Sequence, residues 1–288
     1  MLHSQSVVVN LSHLTFIAVR GARAAEFLQG QLTCDVREVT ETQSRLAAHC
    51  NPKGRVLSTF RVLCYQGQLY LLTPESMQPL VIEQLKRYAA LFKVSLEPTE
   101  ELLLLGCVGN TLAHDLALHF DGVPETVDTV HSKDSLRIIR ILGEQPRFML
   151  YGTSDAMTAL STELTSRYPQ LDSTHWRLLD IQNGIPTIYP TSRELFTPHM
   201  LNYPTLNAVS FTKGCYIGQE VVARTQYLGK TKRHLWLATL DTDQLPMPGE
   251  KLYGDKEQET GTVVDAEFIT AGSCQLLAVV SATETEKG

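Results

Sequence analysis

Val56-Leu-Ser-Thr-Phe-Arg-Val-Leu-Cys-Tyr65-Gln66-Gly67-Gln68-Leu-Tyr-Leu-Leu72 sets Gln66-Gly67 between two runs rich in Val, Leu and Tyr. Such a pair between two apolar runs predicts a β-hairpin, with strands Val56–Tyr65 and Gln68–Leu72. Working outward, Leu14–Val19 reads as a strand and Arg23–Gln29 as a helix before the hairpin. After it, Met77, Val81, Leu85, Tyr88 and Phe92 fall on one helical face, predicting a helix over Ser76–Tyr88, and Val94–Leu96 reads as a further strand. Strand, helix, two strands, helix, strand is the order of a ferredoxin-like unit.

A similar series follows. It has a strand at Leu102–Val108, a helix from Thr111 to Leu118, strands at Leu136–Ile141 and Arg147–Tyr151, and a helix opened by Ser154. The architecture therefore repeats where the sequence does not. A helix over Thr174–Gln182 is stopped by Asn183-Gly184 and Pro186. Tyr189–Phe211 carries three prolines and little periodicity, and is expected to form an ordered surface loop. Short runs at Leu235–Leu240, Gly261–Phe268 and Gln275–Val280, separated by turn residues, read as a small C-terminal β-barrel. The expected fold class is α+β. Its units are 1–100 (approximate, with strand exchange toward the next), 101–232 and 233–288.

With 288 residues and 43% hydrophobic composition, the chain has material for a large core and for two or three domains. Its longest apolar runs, such as Leu102–Leu105 and Leu276–Val280, fall far short of the roughly 20 residues that cross a bilayer. Met1–Asn10 lacks the positively charged start of a secretory signal, so a cytoplasmic location without membrane contact is expected. Six cysteines, at 34, 50, 64, 107, 215 and 274, form no C-x-x-C pair. That argues for reduced thiols and against a cysteine-built zinc site, and no metal is expected. A formal charge of -6 argues against extensive direct nucleic-acid binding. The local exception is Arg224, Lys230, Lys232, Arg233 and His234, a short basic run suited to a phosphate or a polyglutamate tail.

Lys213-Gly214-Cys215-Tyr216-Ile217-Gly218-Gln219-Glu220 is the segment with the most chemical content. Two glycines bracket a cysteine just before the first turn of a predicted helix. The helix N-terminus and Lys213 would both favour a thiolate, and the glycines would let a ligand approach the backbone. Nucleophile, redox thiol and transient metal ligand are all compatible with this pattern, as is a small buried cysteine in a tight turn. Trp176 offers an indole for stacking on a heteroaromatic ring, or equally a core anchor. Leu105-Gly-Cys-Val-Gly-Asn110 lacks the G-x-G-x-x-G pattern, and His114 and His119 lack an H-E-x-x-H, so neither a dinucleotide site nor a zinc hydrolase is indicated.

The segment Lys213–Glu220 resembles the K-G-C-Y-x-G-Q-E signature of the YgfZ-type folate-binding, tRNA-modifying proteins, fold relatives of the glycine cleavage T-protein. The resemblance extends over Phe27–Val36, Leu46–Arg55, Trp176–Ile188 and Val221–Trp236. It implies a T-protein-like ring of two ferredoxin-like units plus a small C-terminal β-barrel, around a cavity for tetrahydrofolate or another reduced folate. It also implies a role in assembling or maintaining iron-sulfur clusters in enzymes such as tRNA methylthiotransferases. Partners would then be folate and iron-sulfur enzymes or cluster-assembly proteins. The family's functional cysteine corresponds to Cys215. Of two folate-associated tryptophans the second corresponds to Trp176, while the first falls at Leu14, which packs but offers no aromatic face. Arg224 and the basic run after it are candidates for the folate carboxylates. The alternatives are a folate-dependent one-carbon transferase, with Asp35, Asp180 and Glu220 as available carboxylates, and a ligand-free adaptor.

Overall fold

The computed structural model describes residues 5–229, 231–254 and 258–281; Lys230 of the basic run lies outside them. In chain order the first part runs β1 (Val7–Asn10), β2 (Leu14–Arg20), α1 (Ala24–Gln29), β3 (Arg45–Cys50), β4 (Val56–Tyr65), β5 (Gln68–Pro74), α2 (Gln78–Ala89) and β6 (Ser95–Thr99). The β4–β5 hairpin closes at Tyr65↔Gln68. Gln66 and Gly67 both take positive φ, at 50° and 75°, as a two-residue turn of the tightly twisted kind requires. β2, β4 and β5, with the edge strands β3 and β6, make an antiparallel sheet in the order β3-β4-β5-β2-β6.

The second part runs β7 (Leu102–Val108), α3 (Asn110–Phe120), β8 (Val130–Lys133), β9 (Leu136–Ile141), β10 (Arg147–Thr153), α4 (Ser154–Arg167), β11 (Gln170–Leu171) and α5 (Ser173–Gln182). Its sheet has the order β11-β1-β7-β10-β9-β8. β7 and the β9–β10 hairpin repeat the arrangement of β2 and the β4–β5 hairpin. The difference is β1, which leaves the first part of the chain to lie between β7 and β11, antiparallel to one and parallel to the other.

Alternation along the strands explains how these sheets stack. Phe16 and Ala18 of β2 join Val7 and Val9 of β1 and Met149 and Tyr151 of β10 in one core between the two sheets. Ile17 and Val19 face α1 and α2 on one outer side. Val8, Phe148 and Leu150 face α3 and α4 on the other. The result is four layers, helices outside and two sheets within. Lying between these layers, β4 is buried along its whole length, with Val, Leu, Phe, Cys or Tyr at seven of its ten positions and its buried Arg61 paired to Asp128.

The last part comprises α6 (Gln219–Leu228), β12 (Arg233–Asp241), β13 (Lys251–Tyr253), β14 (Glu259–Thr270) and β15 (Ser273–Ser281). The strands pair antiparallel in the order β12-β15-β14-β13. Among the described residues these pairings form an open sheet with β12 and β13 at its edges, and do not close the barrel expected from the sequence. Arg177 of α5 clamps this sheet through Asp265 (2.7 Å) and Glu267 (2.9 Å) of β14. Among the described residues no helix is long and apolar enough to cross a membrane.

Candidate functional site

Three of the stretches singled out in the sequence meet around the Cys215 loop. Lys213 is buried, and its ammonium donates to the carbonyl oxygens of Leu32 (2.8 Å) and Cys34 (2.6 Å). Burial lowers its pKa from 10.5 to about 8. The backbone N–H of Ile217 donates to the carbonyl of Gly30 at 3.2 Å, tying the same loop to the end of α1. Gly218 caps α6 at φ 83°. A Cβ there would sit 2.5 Å from the Asn51 carbonyl oxygen and 3.2 Å from the Gly54 Cα, so the loop packs directly on the Asn51–Arg55 turn. That turn is held by Asn51 Oδ1, which accepts from the N–H groups of Lys53 and Arg55.

Cys215 itself is the exposed cysteine of this framework; the other five are buried. It precedes the Gly218 cap rather than occupying the first turn of α6, where Glu220 lies, exposed. Lys213, expected to favour a thiolate, has its ammonium engaged with the Leu32 and Cys34 carbonyls. Among the described residues a Cβ on Gly214 would meet nothing within 4 Å, so no packing contact there requires a glycine beside Cys215. Tyr216 is buried with its ring 5.1 Å from the Lys213 ammonium, and Gln219 opens α6.

The structure brings Leu14 and Trp176 together in the wall of one small cavity of about 70 Å³, with Arg61, Asp180, Ile185 and Tyr203. Leu46, Arg61 and Ile185 also line an adjoining cavity of about 740 Å³, whose other walls include Arg45, Asp128, Asn207, Ser210 and Phe211. The small space holds on the order of two waters, whereas the large one falls in the range that takes a cofactor-sized molecule. Thr212, at the rim of the large cavity, is three residues before Cys215.

Trp176 is only 1% exposed. The Arg147 guanidinium lies 4.3 Å from the ring centroid, and a Cβ on Gly106 would come within 2.6 Å of the indole. The side chain is therefore a core anchor that reaches the cavity wall, with one face already covered by a cation. Arg147 also binds Asp180 at 2.6 Å. Burial raises the Asp180 carboxyl, and the Arg147 guanidinium opposes it. Arg61 forms a buried ion pair with Asp128, and Arg45 pairs with Glu38 at 2.8 Å. The cationic walls of the large cavity are thus matched by carboxylates. Arg224 is exposed on α6 and lines neither cavity. Among the described residues no cluster of three or more His, Cys, Asp or Glu is placed to hold a metal ion. Arg45, Arg61, Asp128 and Arg147 had no signal in the local sequence, because their partners and the cavity come from distant segments.

No protein-family model matches the chain. It is 32% identical over 281 residues to the tRNA-modifying protein YgfZ of Colwellia psychrerythraea, covering 96% of this chain and 86% of the relative. YgfZ of Klebsiella pneumoniae is 33% identical over 276 residues, covering 95% and 84%. YgfZ of Hamiltonella defensa is 34% identical over 280 residues, covering 95% and 83%. The chain belongs to the YgfZ family. Among solved structures, the glycine cleavage system aminomethyltransferase T of Bartonella henselae shares the fold, with a TM-score of 0.75 at 19% identity over 97% of this chain and 79% of that one. In this YgfZ-family chain the Phe27–Val36, Leu46–Arg55 and Lys213–Glu220 stretches, far apart in sequence, form one packed framework that leaves a single thiol, Cys215, at the surface.

Proposed function

We propose that this chain is a cytoplasmic folate-binding accessory protein that supports iron-sulfur cluster assembly or maintenance in tRNA-modifying enzymes, with tetrahydrofolate or another reduced folate as its ligand. The observation that carries the reading is the 740 Å³ cavity, which shares Leu46, Arg61 and Ile185 with the small space walled by Leu14 and Trp176 and has Thr212, three residues before Cys215, in its lining. Its residues suit a flat heteroaromatic ring with an amide-linked tail. Leu46, Ile185, Val209 and Phe211 supply apolar contact, and Asn207 and Ser210 supply hydrogen-bonding groups. With one face of Trp176 covered by Arg147, the folate ring would rest on the aliphatic walls and Phe211, while Trp176 walls the adjoining small space. The carboxylate tail would compete with Glu38 for Arg45, while Arg224, exposed on α6, remains available only to a tail that leaves the cavity.

Under the same reading the chain is a T-protein-like ring of two ferredoxin-like units and a C-terminal β unit, over 1–100, 101–232 and 233–288, with β1 lent to the second unit. The paired strand orders of the two large sheets support it. Cys215 would be the thiol that acts on clients, the iron-sulfur enzymes or cluster-assembly proteins. A one-carbon transferase needs a carboxylate free to exchange a proton beside the folate. Asp180 is ion-paired to Arg147, and Arg37 holds Asp35 far below the usual carboxylate range, which favours the accessory role.

The test is calorimetric titration of the purified protein with tetrahydrofolate at two salt concentrations, alongside complementation of a strain lacking its native relative. Saturable binding, with loss of methylthiolated tRNA in the Cys215→Ser strain, is the expected result. Absence of binding would remove the folate and leave an adaptor. Full complementation by Cys215→Ser would make the cysteine structural.

A further inference from the structure

β12 carries large apolar side chains that the rest of the protomer leaves partly uncovered. It is nine residues long, and among the described residues it pairs on one side only, with β15. Trp236, Leu237 and Leu240 are 45%, 47% and 40% exposed. Successive side chains of a strand point to opposite faces, so Trp236 and Leu237 expose large apolar groups on both faces of the same edge. A long apolar edge with a free ladder of backbone donors and acceptors is a template for another strand.

The sequence of this edge is complementary to itself. Antiparallel pairing about a two-fold axis at Leu237 sets Arg233 opposite Asp241 of a second copy, at both ends of the ladder. Between them Leu235 meets Thr239, Leu237 meets Leu237, and Trp236 meets Ala238, whose small side chain leaves room for the indole. His234 falls opposite Leu240. Charges of opposite sign thus close both ends of an apolar centre, and the isologous symmetry of a dimer uses each pair twice. Among the described residues of the protomer Arg233 approaches a carboxylate at 3.9 Å, that of Glu259, and Asp241 is exposed.

We propose that β12 is a homodimer edge, at which two copies of this chain pair antiparallel about Leu237 and join their C-terminal sheets into one continuous sheet of eight strands.

The test is sedimentation equilibrium of the full chain over a wide concentration range, with circular dichroism confirming that each variant folds. The wild type is expected to form a reversible dimer. R233D and D241R each set like charges opposite one another twice, and each should raise the dimer dissociation constant about tenfold or more. The double reversal R233D/D241R restores opposite signs across the axis and should return the constant to within about threefold of wild type. Leu237→Lys, which brings two ammonium groups together on the axis, should give a monomer. A wild-type monomer at every concentration overturns the proposal, as does a dimer indifferent to all four variants. Failure of the double reversal to recover what each single reversal loses overturns the register.

Discussion

The guanidinium of Arg147 lies over the indole of Trp176, 4.3 Å from its centroid, and the same Arg147 holds Asp180 at 2.6 Å. One cation therefore covers the tryptophan and neutralises the carboxylate of the adjoining cavity wall. Trp176 is wedged between this group and the β7 backbone at Gly106, where an added Cβ would meet the ring at 2.6 Å.

Trp176→Ala is accordingly expected to cost about 3 to 5 kcal/mol of folding stability, as for other fully buried aromatics. Gly106→Ala should cost about 1 to 3 kcal/mol by overpacking a ring that has nowhere to move. Urea denaturation measures both. Trp176→Phe, which keeps most of the packing, is the variant for titration with tetrahydrofolate. An affinity equal to wild type would mean that the indole contributes to folding alone.

The two glycines beside Cys215 should behave differently. Gly218→Ala forces a Cβ to within 2.5 Å of the Asn51 carbonyl oxygen at φ 83°, and is expected to destabilise by at least about 1 to 2 kcal/mol. Gly214→Ala meets no atom within 4 Å and should change stability by no more than about 0.5 kcal/mol. Thermal melts compare the two. A Gly214→Ala protein that melts as wild type yet fails to complement would tie that glycine to a client or ligand contact.

Acid should weaken the fold through His49. Burial holds its imidazole at about 4, from an ordinary 6.5, and its Nδ1 is buried without a hydrogen-bond partner among the described residues. Between those two values the unfolded chain binds a proton that the folded chain refuses. Stability therefore falls as pH drops from about 6.5 toward 4, by on the order of 3 kcal/mol for this group. His13, held at about 4 by burial and by Arg177, acts in the same direction. Denaturation midpoints at pH 7 and pH 4.5 check the sign, and His49→Asn should flatten the dependence.

Under native conditions a thiol reagent should titrate one group, Cys215, and in denaturant all six. Cys215→Ser should abolish the native reaction and leave the melting temperature unchanged. A second rapidly reacting thiol would contradict the burial of Cys34 and Cys50, whose thiols are both pushed up to about 12 by desolvation.

Much of the order of elements is legible in the sequence alone, because local signals set it. Gln66-Gly67 can close only a tight hairpin, the Val81 and Leu85 spacing suits one buried helical face, and Asn183-Gly184 ends α5. Strands β1, β3, β8, β11 and β13 carry no such local signal. β1, β8, β11 and β13 span only two to four residues, too few for alternation to register, and β3 is a strand only because β4 pairs with it. The insertion of β1 between β7 and β11 left no trace in Val7-Val8-Val9, since the same run would suit any sheet.

The sequence by itself determined the hairpins, the helices, the repeated strand order and the Lys213–Glu220 segment that marks the family. Each of these rests on residues close together in the chain, where spacing and turn chemistry act directly. Only the tertiary structure decided that Leu14 and Trp176 share a cavity while Arg224 stands apart on α6, and that the Lys213 ammonium engages carbonyls of the Leu32–Cys34 stretch. Those relations join segments more than a hundred residues apart, and they exist only once burial makes each unpaired charge and polar group find its partner.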